Sequence, residues 1–199
     1  MTTKTIDYYL SIVSPYTYLG HQRFVALAKK HSLTVNYKPA DIMKIFSVSG
    51  GLPVKQRAPQ RQAYRLTELQ RWRDFLGIPL NPEPKYFPVD DLPATCVVLV
   101  AMKAGADPSD LIFRYLRAVW AEDRNVADMA TIRAIVKEAG GDDDWVDASQ
   151  ESGVDAQRDA NSRDAIGQQV FGAPTYVYNG ELFWGQDRLE LLAWRLEQG

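Results

Sequence analysis

Cysteine is the first scarcity. Cys96 stands alone in a chain of 199 residues, so no intrachain disulfide can form, and its setting in A-T-C-V-V-L-V-A reads as a buried helical thiol. Histidine is nearly as rare: His21 and His31 lie in or just after one helix with no second ligand at metal spacing, and no metal site is expected. An excess of one charge is also lacking. The formal net charge is -2 and the basic residues are scattered rather than gathered in a stripe, so no nucleic-acid partner is expected. No segment approaches the roughly 20 apolar residues of a membrane span, and M-T-T-K-T-I-D-Y-Y at the start lacks the apolar run of a signal peptide. The expectation is a soluble, cytoplasmic protein with no membrane partner. Repeats and low-complexity tracts are missing as well.

What is present is core material: 46% hydrophobic content suffices for one large domain or two small ones. The chain is organised around Ile6 to Leu19. Ile6, Tyr8, Tyr9, Leu10, Ile12 and Val13 form a nearly continuous β-prone run, which suits a strand covered on both faces and running straight into a helix that begins at Ser14-Pro15. Ser14 is a good N-cap, and Pro15 fits the first helical position because it has no N–H to leave unpaired. Ser14 therefore stands where the helix's free N–H groups and positive dipole end converge, an anion site by construction. Leu19, Phe24, Leu27 and Ala28 share a side of this helix, and Leu33 to Lys38 alternates as a short strand, giving a β-α-β unit with parallel strands.

From Asp41 to about Gln168 the pattern is helical, broken by a polar loop at Ser47 to Pro59 and a proline-rich stretch from Gly77 to Pro93. Helices are expected over Arg61 to Leu76, Ala94 to Ala104 and Asp110 to Trp120, then around Met129 to Val136 and from Val154 to Gln168. The sheet signal returns at Thr175-Tyr176-Val177-Tyr178, then Asn179-Gly180, then Glu181-Leu182-Phe183-Trp184. Two apolar runs joined by Asn-Gly predict a hairpin, because a type I′ turn needs φ > 0 at both central residues. Asp187, with Glu190 three residues on, predicts a capping box for a closing helix through Leu192 and Leu196.

This order, with a proline just before the third strand, resembles the thioredoxin fold carrying a helical domain in its middle, as in DsbA-type disulfide oxidoreductases. It implies an α/β fold: a thioredoxin-like domain over 1–40 and 170–199 and a large all-helical insertion over 41–169. Where the redox proteins carry Cys-Pro-X-Cys, this chain has Ser14-Pro15-Tyr16-Thr17, so dithiol exchange is excluded. The substitution is itself a resemblance. A strand ending in S-P-Y-T-Y, the late G-A-P-T and a final F-W-G-Q-D-R-L are similar to the kappa-class glutathione transferases and the 2-hydroxychromene-2-carboxylate isomerases, as are P-Q-R-Q-A-Y at Pro59 to Tyr64 and R-W-R-D-F-L-G-I-P.

The resemblance implies glutathione as cofactor, a small aromatic substrate and a homodimer. Carried over by position, Ser14 is the serine whose hydroxyl faces the glutathione sulfur, and Ala173 with a cis Pro174 is the pair whose backbone meets the tripeptide. Gln186 and Asp187 would hold its γ-glutamyl end. Arg61 stands where the family usually has Lys to meet a glutathione carboxylate, exchanging a point donor for a fork. The Asn common in the loop before that helix is absent from Ser47-Val48-Ser49-Gly50-Gly51-Leu52-Pro53.

Each residue taken alone has a structural reading: Ser14 and Asp187 as helix caps, Pro174 as a fold-determining turn, Arg61 as an exposed helix charge. Convergence favours a site, because a thioredoxin-like fold makes neighbours of the Ser14 helix start and the Pro174 turn across more than 150 residues of sequence. Glutathione-dependent isomerisation of an aromatic-degradation intermediate leads, since W-G-Q-D-R-L resembles the isomerase branch slightly more. The alternatives are a kappa-like transferase or peroxidase and a non-catalytic module that binds a thiol or peptide.

Overall fold

The computed structural model of the chain describes residues 4–198, so Met1 to Thr3 and Gly199, the outer ends of the expected sheet domain, lie outside the described residues. The β-prone run near the start forms β1 (Thr5–Leu10), followed by α1 (Pro15–Lys30) and β2 (Thr34–Pro39), which pairs in parallel with β1 from Thr5 opposite Thr34 to Leu10 opposite Pro39. The expectation that the strand runs straight into the helix is corrected. It stops at Leu10, because Ser11 closes a turn: its carbonyl accepts from Ser14 N–H at 3.1 Å and its hydroxyl from Val13 N–H at 3.4 Å.

Helices fill the middle of the chain: α2 (Ile42–Ser49), α3 (Pro59–Leu76), α4 (Leu92–Lys103), α5 (Ser109–Trp120), α6 (Met129–Glu138), α7 (Asp144–Ala148) and α8 (Ala156–Gly167). The chain then returns as β3 (Thr175–Tyr178) and β4 (Glu181–Trp184), and closes with α9 (Leu189–Glu197). The sheet has the order β2-β1-β3-β4, with β3 antiparallel to both neighbours. Asn179 and Gly180 connect the hairpin with φ of 50° and 79°, as the Asn-Gly pair predicts.

The capping box expected at Asp187 does not form. Gly185, at φ 107°, turns the chain into a 3-10 turn over Gln186–Arg188, and Arg188 N–H bonds to the Gly185 carbonyl at 3.2 Å. This extra winding moves the cap position of α9 to Arg188, which has no side-chain cap bond, and the Asp187 carboxylate accepts instead from the Arg188 guanidinium at 2.8 Å.

Both faces of the sheet are covered, as the continuous apolar run of β1 implies. Ile6, Tyr8 and Leu10 join Leu19 and Phe24 of α1, Leu192 and Leu196 of α9, and the buried faces of α4, α5 and α6 in one apolar cluster. Tyr9 points the other way, to Ala40, Ile45, Ala165, Val170 and Val177. The helix α8 lies on that second face: Asp164 accepts from Tyr9 Oη at 2.6 Å, and Asn161 Nδ2 donates to the Pro39 carbonyl at 2.9 Å.

Candidate active site

Ser14 occupies the N-cap of α1 in an extended conformation (φ -80°, ψ 126°), half-buried, with Pro15 at the first helical position. Its Oγ accepts from Thr17 N–H at 3.2 Å, the cap bond that the sequence predicts. The same hydroxyl donates to the Ala173 carbonyl at 3.3 Å, across 159 positions of sequence. No acidic residue sits in the first turn, and Tyr16 N–H has no partner among the described residues, so one donor at the positive end of the helix is left open. At the position of a second redox cysteine stands Thr17, fully buried. Cys96 lies elsewhere, in α4, where burial pushes its thiol up from the ordinary value.

Opposite Ser14, the Ala173–Pro174 bond is cis, as the sequence reading predicts. The Pro174 carbonyl accepts from Gly185 N–H at 2.9 Å, and Thr175 Oγ1 donates to the Gly172 carbonyl at 2.7 Å. The Trp184 indole packs closely on Gly172: an ideal Cβ there would lie 2.4 Å from the indole nitrogen, so a larger residue would have to displace that half-exposed ring. Ala173 is half-buried and its N–H makes no bond among the described residues, which leaves a short main-chain edge facing Ser14.

Because Gly185 is tied to Pro174, the Gln186-Asp187 turn adjoins this edge. Gln186 is only 1% exposed; its Oε1 accepts from Arg23 Nη1 at 2.7 Å, and its Cβ would be 2.7 Å from a Cβ on Gly20. The amide oxygen is thus held by α1, whereas the Asp187 carboxylate remains part-exposed. The fold brings together Ser14, Ala173, Pro174, Gln186 and Asp187. Arg61 stands apart, exposed on α3, and its link to the others runs through Arg57, whose guanidinium feels both Arg61 and the Tyr16 phenol.

Sequence reasoning missed a wall of this site. Trp120, at the end of α5, is fully buried and donates its indole N–H to the Val13 carbonyl at 3.2 Å, beside the Ser14 turn. Arg65 of α3 lies over its ring, the guanidinium carbon 5.6 Å from the Trp120 centroid and 5.4 Å from that of Phe87. Burial lowers the proton affinity of Arg65, opposed by the neighbouring Tyr16, and Arg57 lowers it further. The signal was available in Arg61-x-x-Tyr64-Arg65, an i, i+4 arginine pair on one helix face, but such pairs ordinarily read as solvated surface. Beneath the turn, Ser11 Oγ donates to Asp91 at 3.2 Å and Arg158 donates to the other Asp91 oxygen.

Among the described residues no group of three or more His, Cys, Asp or Glu side chains is placed to hold a metal ion. No helix among the described residues is long and apolar enough to cross a membrane.

Comparison with known proteins places this geometry. The family described as DSBA-like thioredoxin domain matches residues 5–197. A 2-hydroxychromene-2-carboxylate isomerase of Pseudomonas putida is 29% identical over 190 residues, spanning 94% of this chain and 91% of the relative. The solved structure of a 2-hydroxychromene-2-carboxylate isomerase superposes with a TM-score of 0.83 at 25% identity, covering 98% of this chain and 95% of the other. At greater distance, glutathione S-transferase kappa 1 of Caenorhabditis elegans is 24% identical over 206 residues, covering 97% of this chain and 91% of the transferase.

Proposed function

We propose, for a chain that belongs to the DSBA-like thioredoxin domain family yet has Ser14 and Thr17 in place of a thiol pair, a glutathione-dependent isomerase acting on 2-hydroxychromene-2-carboxylate or a related aromatic-degradation intermediate. The observation that carries this reading is the contact between the Ser14 hydroxyl and the main chain of Ala173, at the positive end of α1. Full-length relatives named for that isomerase activity support it.

The residues present fit glutathione. A γ-glutamyl-cysteinyl backbone is an extended peptide, and Ala173 offers it a free N–H and a carbonyl whose present bond, 3.3 Å long, is weak enough to exchange. Asp187, excused from capping α9, keeps a part-exposed carboxylate: one oxygen accepts from the Arg188 guanidinium at 2.8 Å, and the other can receive an ammonium group. Glutathione would supply a thiol whose reversible addition turns a double bond into a single bond that can rotate. The protein's part is to favour the ionised sulfur. Ser14 Oγ–H can turn from Ala173 to a sulfur, while Thr17 N–H continues to hold the oxygen in place and Tyr16 N–H and the helix dipole add positive potential.

The test is to assay the purified protein with glutathione on 2-hydroxychromene-2-carboxylate and, in parallel, on 1-chloro-2,4-dinitrobenzene. Isomerisation without consumption of glutathione is expected. Conjugation alone would make the protein a transferase, the reading favoured by its kappa relatives. No calorimetric binding of glutathione would leave a non-catalytic module.

A further inference from the structure

Arg65 is charged, 7% exposed and unpaired. Among the described residues it makes no ion pair, and its Nη2 is sealed from solvent without a hydrogen-bond partner. Buried charges are ordinarily paired or coordinated, because removing an ion from water is costly. Here the faces of Phe87 and Trp120 and the side of Tyr16 take the place of a carboxylate. Aromatic faces attract a guanidinium but neutralise none of its charge. Glu68, one turn further along α3, accepts from Arg71 at 2.7 Å instead. Arg57, half-buried beside the same Tyr16, adds a second cation whose Nε alone is used, on the Leu52 carbonyl at 2.8 Å. The outcome is uncompensated positive charge, walled by aromatic rings and placed beside the Val13–Tyr16 turn that presents Ser14.

We propose that Arg65, with Arg57 at the rim, is the receptor for the carboxylate of an acid built on an aromatic ring, and so fixes which end of the substrate faces Ser14. The inference rests on the isomerase reading for the identity of the acid. In 2-hydroxychromene-2-carboxylate the carboxylate is borne on the carbon next to the ring double bond. A charge held against Trp120, whose indole is bonded to Val13 next to Ser14, therefore sets the reacting carbons near the serine rather than away from it. Arg suits this task better than Lys, because its planar fork meets a carboxylate with two parallel bonds and stacks on rings. The flat apolar surround favours an aromatic acid over the flexible glycyl carboxylate of glutathione.

Binding without turnover tests this separately from the isomerase activity. Salicylate and its neutral isostere salicylamide are titrated into the protein without glutathione, followed by calorimetry. The wild-type protein should bind salicylate at least tenfold more tightly than salicylamide; Arg65→Met should abolish that preference, and Arg57→Met should reduce it severalfold. Glutathione affinity of Arg65→Met should stay within twofold. A wild-type protein without the preference overturns the proposal, whatever the variants do. So does an Arg65→Met protein that keeps it, or one that loses glutathione affinity in equal measure, which would assign the guanidinium to the tripeptide. If salicylate binds as proposed but the chromene is not isomerised, the carboxylate site stands and the isomerase reading falls.

Discussion

Ser14 shows how one side chain carries a structural and a chemical role through different atoms. Its oxygen lone pair caps α1 by accepting from Thr17 N–H, and its proton is spent on Ala173 at a length that makes it easy to redirect. Removal of the hydroxyl should therefore have two separable effects. Loss of the cap costs about 1 kcal/mol of stability. Loss of a hydrogen bond to a thiolate costs roughly 1.5 to 3 kcal/mol, equivalent to one to two pKa units at about 1.4 kcal/mol each. Ser14→Ala is expected to lower turnover by roughly tenfold to a hundredfold and raise the ultraviolet-monitored pKa of bound glutathione, with little change in glutathione affinity. An unchanged rate and thiol titration, with only the urea midpoint shifted, would reduce Ser14 to a cap. Asp187 is the converse: because the 3-10 turn relieves it of capping, Asp187→Asn should weaken glutathione binding in calorimetry while leaving the melting temperature nearly unmoved.

At the scale of elements, the site depends on how closely α1 approaches the turn after β4. Gly20 makes that approach possible: a Cβ there would stand 2.7 Å from the Gln186 Cβ and 3.2 Å from its Cα. Gly20→Ala gains about 1 kcal/mol in helix propensity but must push α1 off the turn, an overpacking cost of about 1 to 3 kcal/mol. A net loss of stability is expected in urea unfolding, accompanied by weaker glutathione binding as Asp187 is displaced; a more stable variant with intact binding would show that the turn yields freely. The second joint lies under Ser14. Burial raises the Asp91 carboxyl above its ordinary value and Arg158 draws it back down; we read the pair as charged, because both Arg158 and Ser11 donate to Asp91. Asp91→Ala would leave Arg158 buried with Asp41 as its remaining partner at 3.7 Å, and should cost about 3 to 5 kcal/mol. A loss under 1 kcal/mol would mean that water reaches the guanidinium.

The whole molecule carries a pH dependence in its core. His21 is fully buried between the sheet and α5, with Nε2 facing the Ser109 carbonyl at 2.9 Å and Nδ1 facing Tyr8 Oη at 3.2 Å. The Ser109 carbonyl can only accept, which assigns the proton to Nε2 and leaves Nδ1 to accept from Tyr8. Burial pulls its pKa down from 6.5 to about 4. Between those values the unfolded chain binds the extra proton and the folded one does not, so stability is fully present above pH 6.5 and is lost as pH falls towards 4. The contribution amounts to roughly 2 kcal/mol between pH 7 and 5. Urea unfolding at both pH values should show that loss in the wild-type protein and a much smaller one in His21→Gln, the difference between the two cancelling all other titrating groups. Equal slopes would exclude His21 as the source.

Local chemistry alone determined much of this protein. The Ser14-Pro15 cap, the Asn179-Gly180 hairpin, the parallel β1-β2 pair and the buried stripe of α5 are each written in a few adjacent residues, because propensity, turn geometry and periodicity act over one or two turns of chain. Even the cis proline and its pairing with Ser14 were legible through family likeness in short motifs. What only the tertiary structure decided is where distant groups meet. Asp187 reads as a cap, but the tie between Gly185 and Pro174 winds the chain early and turns its carboxylate away from the helix end. Nothing local sets Arg65 apart from the other arginines of its helix, and only the arrival of Phe87 and Trp120 from other segments turns it into a buried cation. Burial and electrostatics depend on everything within several ångströms, whatever its distance along the chain, and no window of sequence contains that neighbourhood.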